Sequence, residues 1–112
     1  MGDVRVTLAV ATVLRVFLDD IARPRYGYEL MRLTGFPSGK LYPLLARLER
    51  AGWLTKEMED VEPAAVGRPA RRMYRLSEEG TQAARYELAR LTEQLRPAVA
   101  GTPRLRPEGG RA

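Results

Sequence analysis

Residues 38 to 53, Ser38-Gly39-Lys40-Leu41-Tyr42-Pro43-Leu44-Leu45-Ala46-Arg47-Leu48-Glu49-Arg50-Ala51-Gly52-Trp53, constrain the fold more than any other stretch. They read as one amphipathic helix with a start and a stop. Ser38 is the expected N-cap, because its hydroxyl can accept a bond from a free N–H of the first turn. Leu41, Leu44, Leu45 and Leu48 fall at helical spacing and form one apolar stripe. Gly52 supplies the left-handed residue that closes many helices. The opposite face carries Gly39, Pro43, Ala46 and Arg50, with Lys40 and Arg47 on one flank and Tyr42 on the other. It is small in the middle and basic or hydrogen-bonding at its edges. A helix of that shape can lie close against a polyanion.

Charge and composition agree with an anionic partner and exclude several chemistries. The chain of 112 residues carries 19 Lys and Arg against 14 Asp and Glu, a net charge of +5. Its length suits a single hydrophobic core. It has no cysteine, which removes disulfides, zinc-thiolate sites and thiol nucleophiles, and no histidine, the commonest general base and metal ligand. No clustered carboxylates and no phosphate-cradling glycine loop are visible, so neither an enzyme nor a cofactor is expected. The longest apolar run is far short of a membrane span, and the N-terminus carries an acid where a signal peptide has basic residues. The expected location is cytoplasmic.

The first helix is expected over Asp3 to Asp20. Val4, Leu8, Ala11, Leu14, Leu18 and Ile21 share one face, and Val6, Val10, Val13 and Phe17 share a second. The alternation from Val4 to Val10 leaves a strand reading open; the length of the pattern favours helix. Two apolar faces exceed the needs of so small a domain, so the second face is assigned to contact with another chain. The alternative is a helix buried centrally in one protomer. Pro24 bars continuation. Tyr26 to Thr34 is a second helix with Tyr28, Leu30, Met31 and Leu33 as core candidates, and Gly35 closes it. Helix, short turn and a second helix with a basic outer face make a helix-turn-helix arrangement.

After Gly52 the period changes. Trp53 to Glu59 and Arg71 to Leu76 read as strands, with Leu54, Met58, Tyr74 and Leu76 facing inward. Asp60 to Ala70 reads as a long hairpin loop. Its first half is acidic and its second half is basic, with Arg68, Arg71, Arg72 and Arg75. A basic hairpin directly after a helix-turn-helix is a wing, placed to reach a phosphate backbone or minor groove. Ser77 caps a last helix running to about Arg96, ~30 Å long. Its Ala84, Leu88, Leu91 and Leu95 make a seam that needs a partner, either the first helix of the same chain or another chain. The Pro-, Gly- and Arg-bearing residues from Pro97 onward read as a disordered basic tail.

Three stretches together resemble the PadR family of bacterial transcription regulators. They are Tyr26-Gly27-Tyr28-Glu29-Leu30, the run Gly39 to Gly52 with its Leu41-Tyr42-Pro43 core, and Gly67-Arg68-Pro69-Ala70-Arg71-Arg72-Met73-Tyr74-Arg75-Leu76-Ser77-Glu78-Glu79-Gly80. They stand in the family's order, and the likeness spans roughly Val4 to Leu95. The single C-terminal helix is similar to the family's small subfamily. The resemblance implies a mainly α winged helix-turn-helix with a small β-hairpin and a homodimer built from the first and last helices. It implies binding of double-stranded DNA at a near-palindromic operator, usually as a repressor, and release by a small aromatic or hydrophobic effector. Some small members hold flat drugs against a tryptophan of the last helix. This last helix has no Trp, and Phe17 and Tyr86 are the only aromatics on the two presumed dimer helices.

The expected organisation is therefore a DNA-binding domain over 1–76, a dimerisation helix over 77–97 and a tail over 98–112. Lys40, Arg47 and the Ser38–Gly39 helix start are assigned to the major groove. Tyr42 has a hydroxyl for a phosphate and a ring for a thymine methyl, and its alternative is a packing role beside Leu41. Pro43 is included with this surface, chiefly as the residue that shapes the helix's first turn. Tyr26 is assigned to a phosphate, with a helix-entry staple as the alternative. Arg68, Arg71 and Arg72 form the wing's phosphate or minor-groove group, whereas Arg75 either joins them or turns toward the acidic strand. Val6, Val10, Val13, Phe17, Ala84, Leu88, Leu91 and Leu95 are assigned to the dimer. The competing reading is a winged-helix protein-interaction module without DNA binding.

Overall fold

The computed structural model describes residues 4–97. The tail expected over 98–112 lies outside the described residues. The elements run α1 (Leu8–Asp19), β1 (Arg25–Tyr26), α2 (Gly27–Thr34), α3 (Ser38–Arg50), β2 (Leu54–Met58), α4 (Pro63–Val66), β3 (Arg72–Leu76) and α5 (Glu78–Leu95). The fold is mainly α, with a winged helix-turn-helix made by α2, α3 and the hairpin.

The first helix starts later than expected. Thr7 caps it, its hydroxyl accepting the Val10 N–H at 3.2 Å. Val4 is buried from an extended segment ahead of the helix. The β-branched residues before Thr7 suit that extended backbone.

One core joins all the helices except α4. Phe17, Leu14, Leu30, Leu41, Leu45, Leu48, Val10 and Val13 are its largest fully buried side chains. This corrects the assignment of α1's second face. Val10, Val13 and Phe17 do not face outward; they fill the protomer's own interior, and Val6 packs half-buried against it. Ala84 of α5 is likewise fully buried. The reason is geometric. α1 packs against both α2 and α5, so it is covered on two sides within one chain. On α2 only Leu30 is fully buried, whereas Tyr28 and Leu33 are exposed.

The sheet has three strands, in the order β1-β3-β2, all antiparallel. Two residues, Arg25 and Tyr26, add an edge strand opposite Tyr74 and Met73. Two residues are too few for any periodicity to reveal. Leu54 pairs with Leu76 at the inner end of the hairpin, and Met58 with Arg72 at its outer end. Leu54, Tyr74 and Leu76 are buried as expected, but Met58 is 60% exposed because the outer end projects past the core. The loop is not wholly irregular: Pro63–Val66 form one helical turn closed by Gly67 at φ 72°.

The exit of α3 is tied to the start of α5. Gly52 has φ 83°. The Trp53 N–H returns to the Leu48 carbonyl at 2.9 Å, which satisfies a helix-end carbonyl. Ser77 donates its hydroxyl to the Gly52 carbonyl at 2.6 Å, and its N–H bonds the Trp53 carbonyl at 2.9 Å. The same hydroxyl oxygen accepts the Gly80 N–H at 2.9 Å. Gly80 lies so close that an added Cβ would stand 2.7 Å from the Trp53 carbonyl carbon. Backbone of this knot cannot swing aside as a side chain can. Gly80→Ala is therefore expected to destabilise the chain by about 1–3 kcal/mol, as overpacked sites do, in denaturant unfolding. An unchanged midpoint would contradict the contact.

Candidate nucleic-acid interface

The surface opposite the leucine stripe of α3 is open. Ser38, Gly39, Lys40, Tyr42, Pro43 and Arg47 are all exposed, while Leu41, Leu44, Leu45 and Leu48 are buried. Ser38 is not the cap: Pro37 holds that position and Ser38 is the first helical residue. The Pro37 carbonyl accepts both the Lys40 N–H at 3.0 Å and the Leu41 N–H at 2.9 Å. No side chain caps the helix, so the first-turn N–H groups of Ser38 and Gly39 precede any intrahelical bond. Such groups are natural donors to an anion. Gly39 has nothing within 4 Å of where a Cβ would stand. Its missing side chain leaves bare backbone on the outer face. Lys40 rests its ammonium 4.3 Å from the Phe36 ring centre, which holds the charge beside the helix start.

A second group gathers where α2, α3 and β3 meet. Tyr26, Gly27, Tyr28, Tyr42, Arg71, Arg72 and Tyr74 line an open pocket of about 450 Å³. Tyr26, Tyr42, Arg71 and Arg72 were separate expectations, and the fold brings them together. Tyr42 takes both of its readings at once. It is 42% exposed, yet its ring packs over Gly27, where an added Cβ would stand 2.7 Å from Cζ. Arg71 stacks its guanidinium 4.1 Å from the Tyr26 ring centre. Burial pushes the Tyr74 phenol above its ordinary pKa.

The wing arginines divide. Arg72 is exposed. Arg75 turns to the acidic strand, 3.6 Å from Glu57. Arg68 is a correction, because it is not held outward for phosphate. Its Nη1 and Nη2 donate to the two Glu59 oxygens at 2.7 and 3.1 Å, and Nη1 also reaches the Pro69 carbonyl at 3.1 Å. Bidentate pairing of this kind is the strong form of an ion pair. Glu59 also accepts the Arg71 N–H at 3.1 Å. Led by the Arg68 hydrogen bonds, these contacts hold the Glu59 carboxyl down to a pKa of about 2, against desolvation that acts the other way.

Tyr28, Tyr74, Gly27 and Glu59 carried no separate assignment from sequence. The first three were legible only as letters of a motif. Glu59 had a usable signal: carrying the hairpin register one step past Met58–Arg72 sets it opposite Arg71. A buried pair beneath the site was also unforeseen. Glu29 accepts Arg25 at 2.9 Å and Arg23 at 3.1 Å, fastening β1 to α2.

Away from this surface, α1 and α5 leave an apolar groove of about 450 Å³. Leu8, Leu18, Leu88, Leu91 and Leu95 line it, with Arg15 among them. Leu88, Leu91 and Leu95 thus fall where the seam reading put them, and Leu8 takes the outward role first given to Val10 and Val13.

A model of the transcriptional regulator PadR-like family matches residues 13–86. The chain belongs to that family. Members of the PadR-like family are transcriptional regulators and not enzymes. Solved structures share the fold. Smu.1704 from Streptococcus mutans UA159 is 22% identical at a TM-score of 0.65, over 88% of this chain and 92% of that one. A Streptococcus transcriptional regulator is 28% identical at 0.54, over 81% and 95%. The overoxidized AbfR bound to DNA is 21% identical at 0.64, over 86% of this chain and 64% of that one. No curated protein matches. Among the described residues of this PadR-like chain, no helix is long and apolar enough to cross a membrane.

The depressed Glu59 gives a pH prediction. A carboxyl lowered from 4.5 to about 2 contributes stability that is fully present above 4.5 and is lost as pH falls through about 2. Carboxyl-detected NMR titration should therefore show Glu59 ionised at pH 3, where ordinary glutamates are protonated. A midpoint near 4.5 would mean the Arg68 pairing does not persist in solution.

Proposed function

We propose that this chain represses transcription as a homodimer on a near-palindromic operator, with α3 in the major groove and the wing on the flanking backbone. The observation that carries the reading is the two-sidedness of α3. One face is locked in the core, and the other presents bare backbone at Gly39, Lys40 and Arg47 at its edges and uncapped N–H groups at its start. Lys40 and Arg47 are the base-reading candidates, since bidentate or point contacts of Arg and Lys to guanine are the commonest specific ones. Tyr26, Tyr42, Arg71 and Arg72 position the protein on phosphates. The DNA-bound AbfR supports such a use of the fold.

The leucine groove between α1 and α5 supports the homodimer. An apolar strip of this kind on an otherwise charged helix is a surface that a second copy would cover. An effector entering there meets aliphatic walls. Trp53 is buried at the start of the wing and Phe17 in the core, so neither supplies a stacking ring. Effector binding in this reading is by shape and apolar contact, and it shifts the spacing of the two α3 helices.

Gly39→Ala tests the reading, because its two effects have opposite signs. The site has room for a methyl in the free chain. Helix propensity then favours Ala by roughly 0.5–1 kcal/mol. On DNA the methyl stands between helix and groove. The variant should unfold at higher denaturant yet bind its selected duplex about tenfold more weakly, roughly 1.4 kcal/mol, in fluorescence anisotropy. Unweakened binding would remove α3's outer face from the interface. No salt-dependent, sequence-selective duplex binding by the parent chain would favour an interaction module instead.

A further inference from the structure

The loop that closes the wing runs from Glu59 to Arg71, and a single side chain ties its two ends. The Glu59 N–H donates to the Arg71 carbonyl at 2.7 Å. The Glu59 carboxylate accepts the Arg71 N–H at 3.1 Å, and Arg68 bridges both of its oxygens at 2.7 and 3.1 Å. These contacts lie beyond the last register pair, Met58 with Arg72. Without them, the two strand ends have no further pairing to hold them. Arg71 is also the residue whose guanidinium lies 4.1 Å from the Tyr26 ring centre, at the edge of the tyrosine-lined pocket.

We propose that Glu59 is a positioning residue for DNA binding: its carboxylate, through Arg68 and the Arg71 N–H, holds the wing so that Arg71 and Arg72 face the phosphate backbone. The inference rests on the DNA-binding reading above. It makes an acid on a basic wing an aid to binding a polyanion, which is opposite in sign to the effect of its charge alone. A glutamate this close to the interface would by Coulomb repulsion weaken the complex, and removing it would raise the net charge by one and tighten binding. Positioning predicts the reverse. The Arg68 charge is already neutralised by its partner, so little phosphate attraction is gained by freeing it, while ordered contacts from Arg71 and Arg72 are lost.

Two variants separate charge from reach. Glu59→Ala removes both. Glu59→Asp keeps the charge but shortens the side chain, so it no longer spans to Arg68 and Arg71 together. Both lie on the outer end of the hairpin, away from the buried core. Duplex binding is measured by anisotropy across a salt series, and exchange of the Arg71 amide is followed by NMR in the free chain. The expected result is that both variants bind about five- to tenfold more weakly. Their log–log salt slope should fall by about 0.9, one phosphate contact. The Arg71 amide should exchange at least tenfold faster in Glu59→Ala. Tighter or unchanged binding by Glu59→Ala overturns the proposal, as does an Arg71 amide that stays protected. If the parent chain itself binds no duplex, the DNA-binding reading fails, and an amide unchanged in Glu59→Ala separately rejects the positioning role.

Discussion

Four leucines on one side of a thirteen-residue helix hold this molecule together. Leu41, Leu44, Leu45 and Leu48 are between 0% and 7% exposed, and α2, β2 and the hairpin are arranged around the helix that carries them. Each such burial is worth about 1.5–3 kcal/mol relative to exposure. Those four side chains also decide which way the rest of α3 points. A helix anchored along one stripe must present the opposite stripe to solvent. Here that stripe is Gly39, Pro43, Ala46 and their basic flanks. Core stability and the orientation of the recognition surface are thus one constraint and not two.

The knot at Gly52, Trp53, Ser77 and Gly80 carries that orientation to both ends of the domain. It ends α3, begins β2 and seats the first turn of α5 within one cluster of hydrogen bonds. The wing leaves from one side of the cluster and the long helix from the other. Movement of α5 would therefore be felt at the exit of α3 without passing through the core. This gives a short mechanical route between the apolar groove and the DNA-facing surface.

Long, strongly patterned elements were legible in the sequence. The stripe of α3, the Gly52 stop, the Ser77 cap and the span of α5 all follow from local rules that tertiary packing did not override. What escaped was relational. The two apolar faces of α1 were visible, but periodicity does not say which face a protomer keeps for itself; packing by both α2 and α5 decided in favour of Val10, Val13 and Phe17. β1 is two residues long and exists only because β3 is beside it. Ser38 looked like a cap until Pro37 took the position one residue earlier. The wing's charge was counted correctly and its availability was not. Arg68 and Arg75 spend theirs on Glu59 and Glu57, leaving Arg71 on a tyrosine ring and Arg72 in solvent. Charge runs in a sequence state what is present, and only the fold states what is already paired.

The central claim is that two copies of α3 read two successive major grooves while the wings flank them. Hydroxyl-radical footprinting of the chain on a duplex selected from a random pool tests it most directly. The account predicts two protected clusters about one helical turn apart, roughly 34–36 Å, mirrored about a central point with weaker protection outside each. A single unbroken patch without symmetry, or protection that does not depend on duplex sequence, would contradict it.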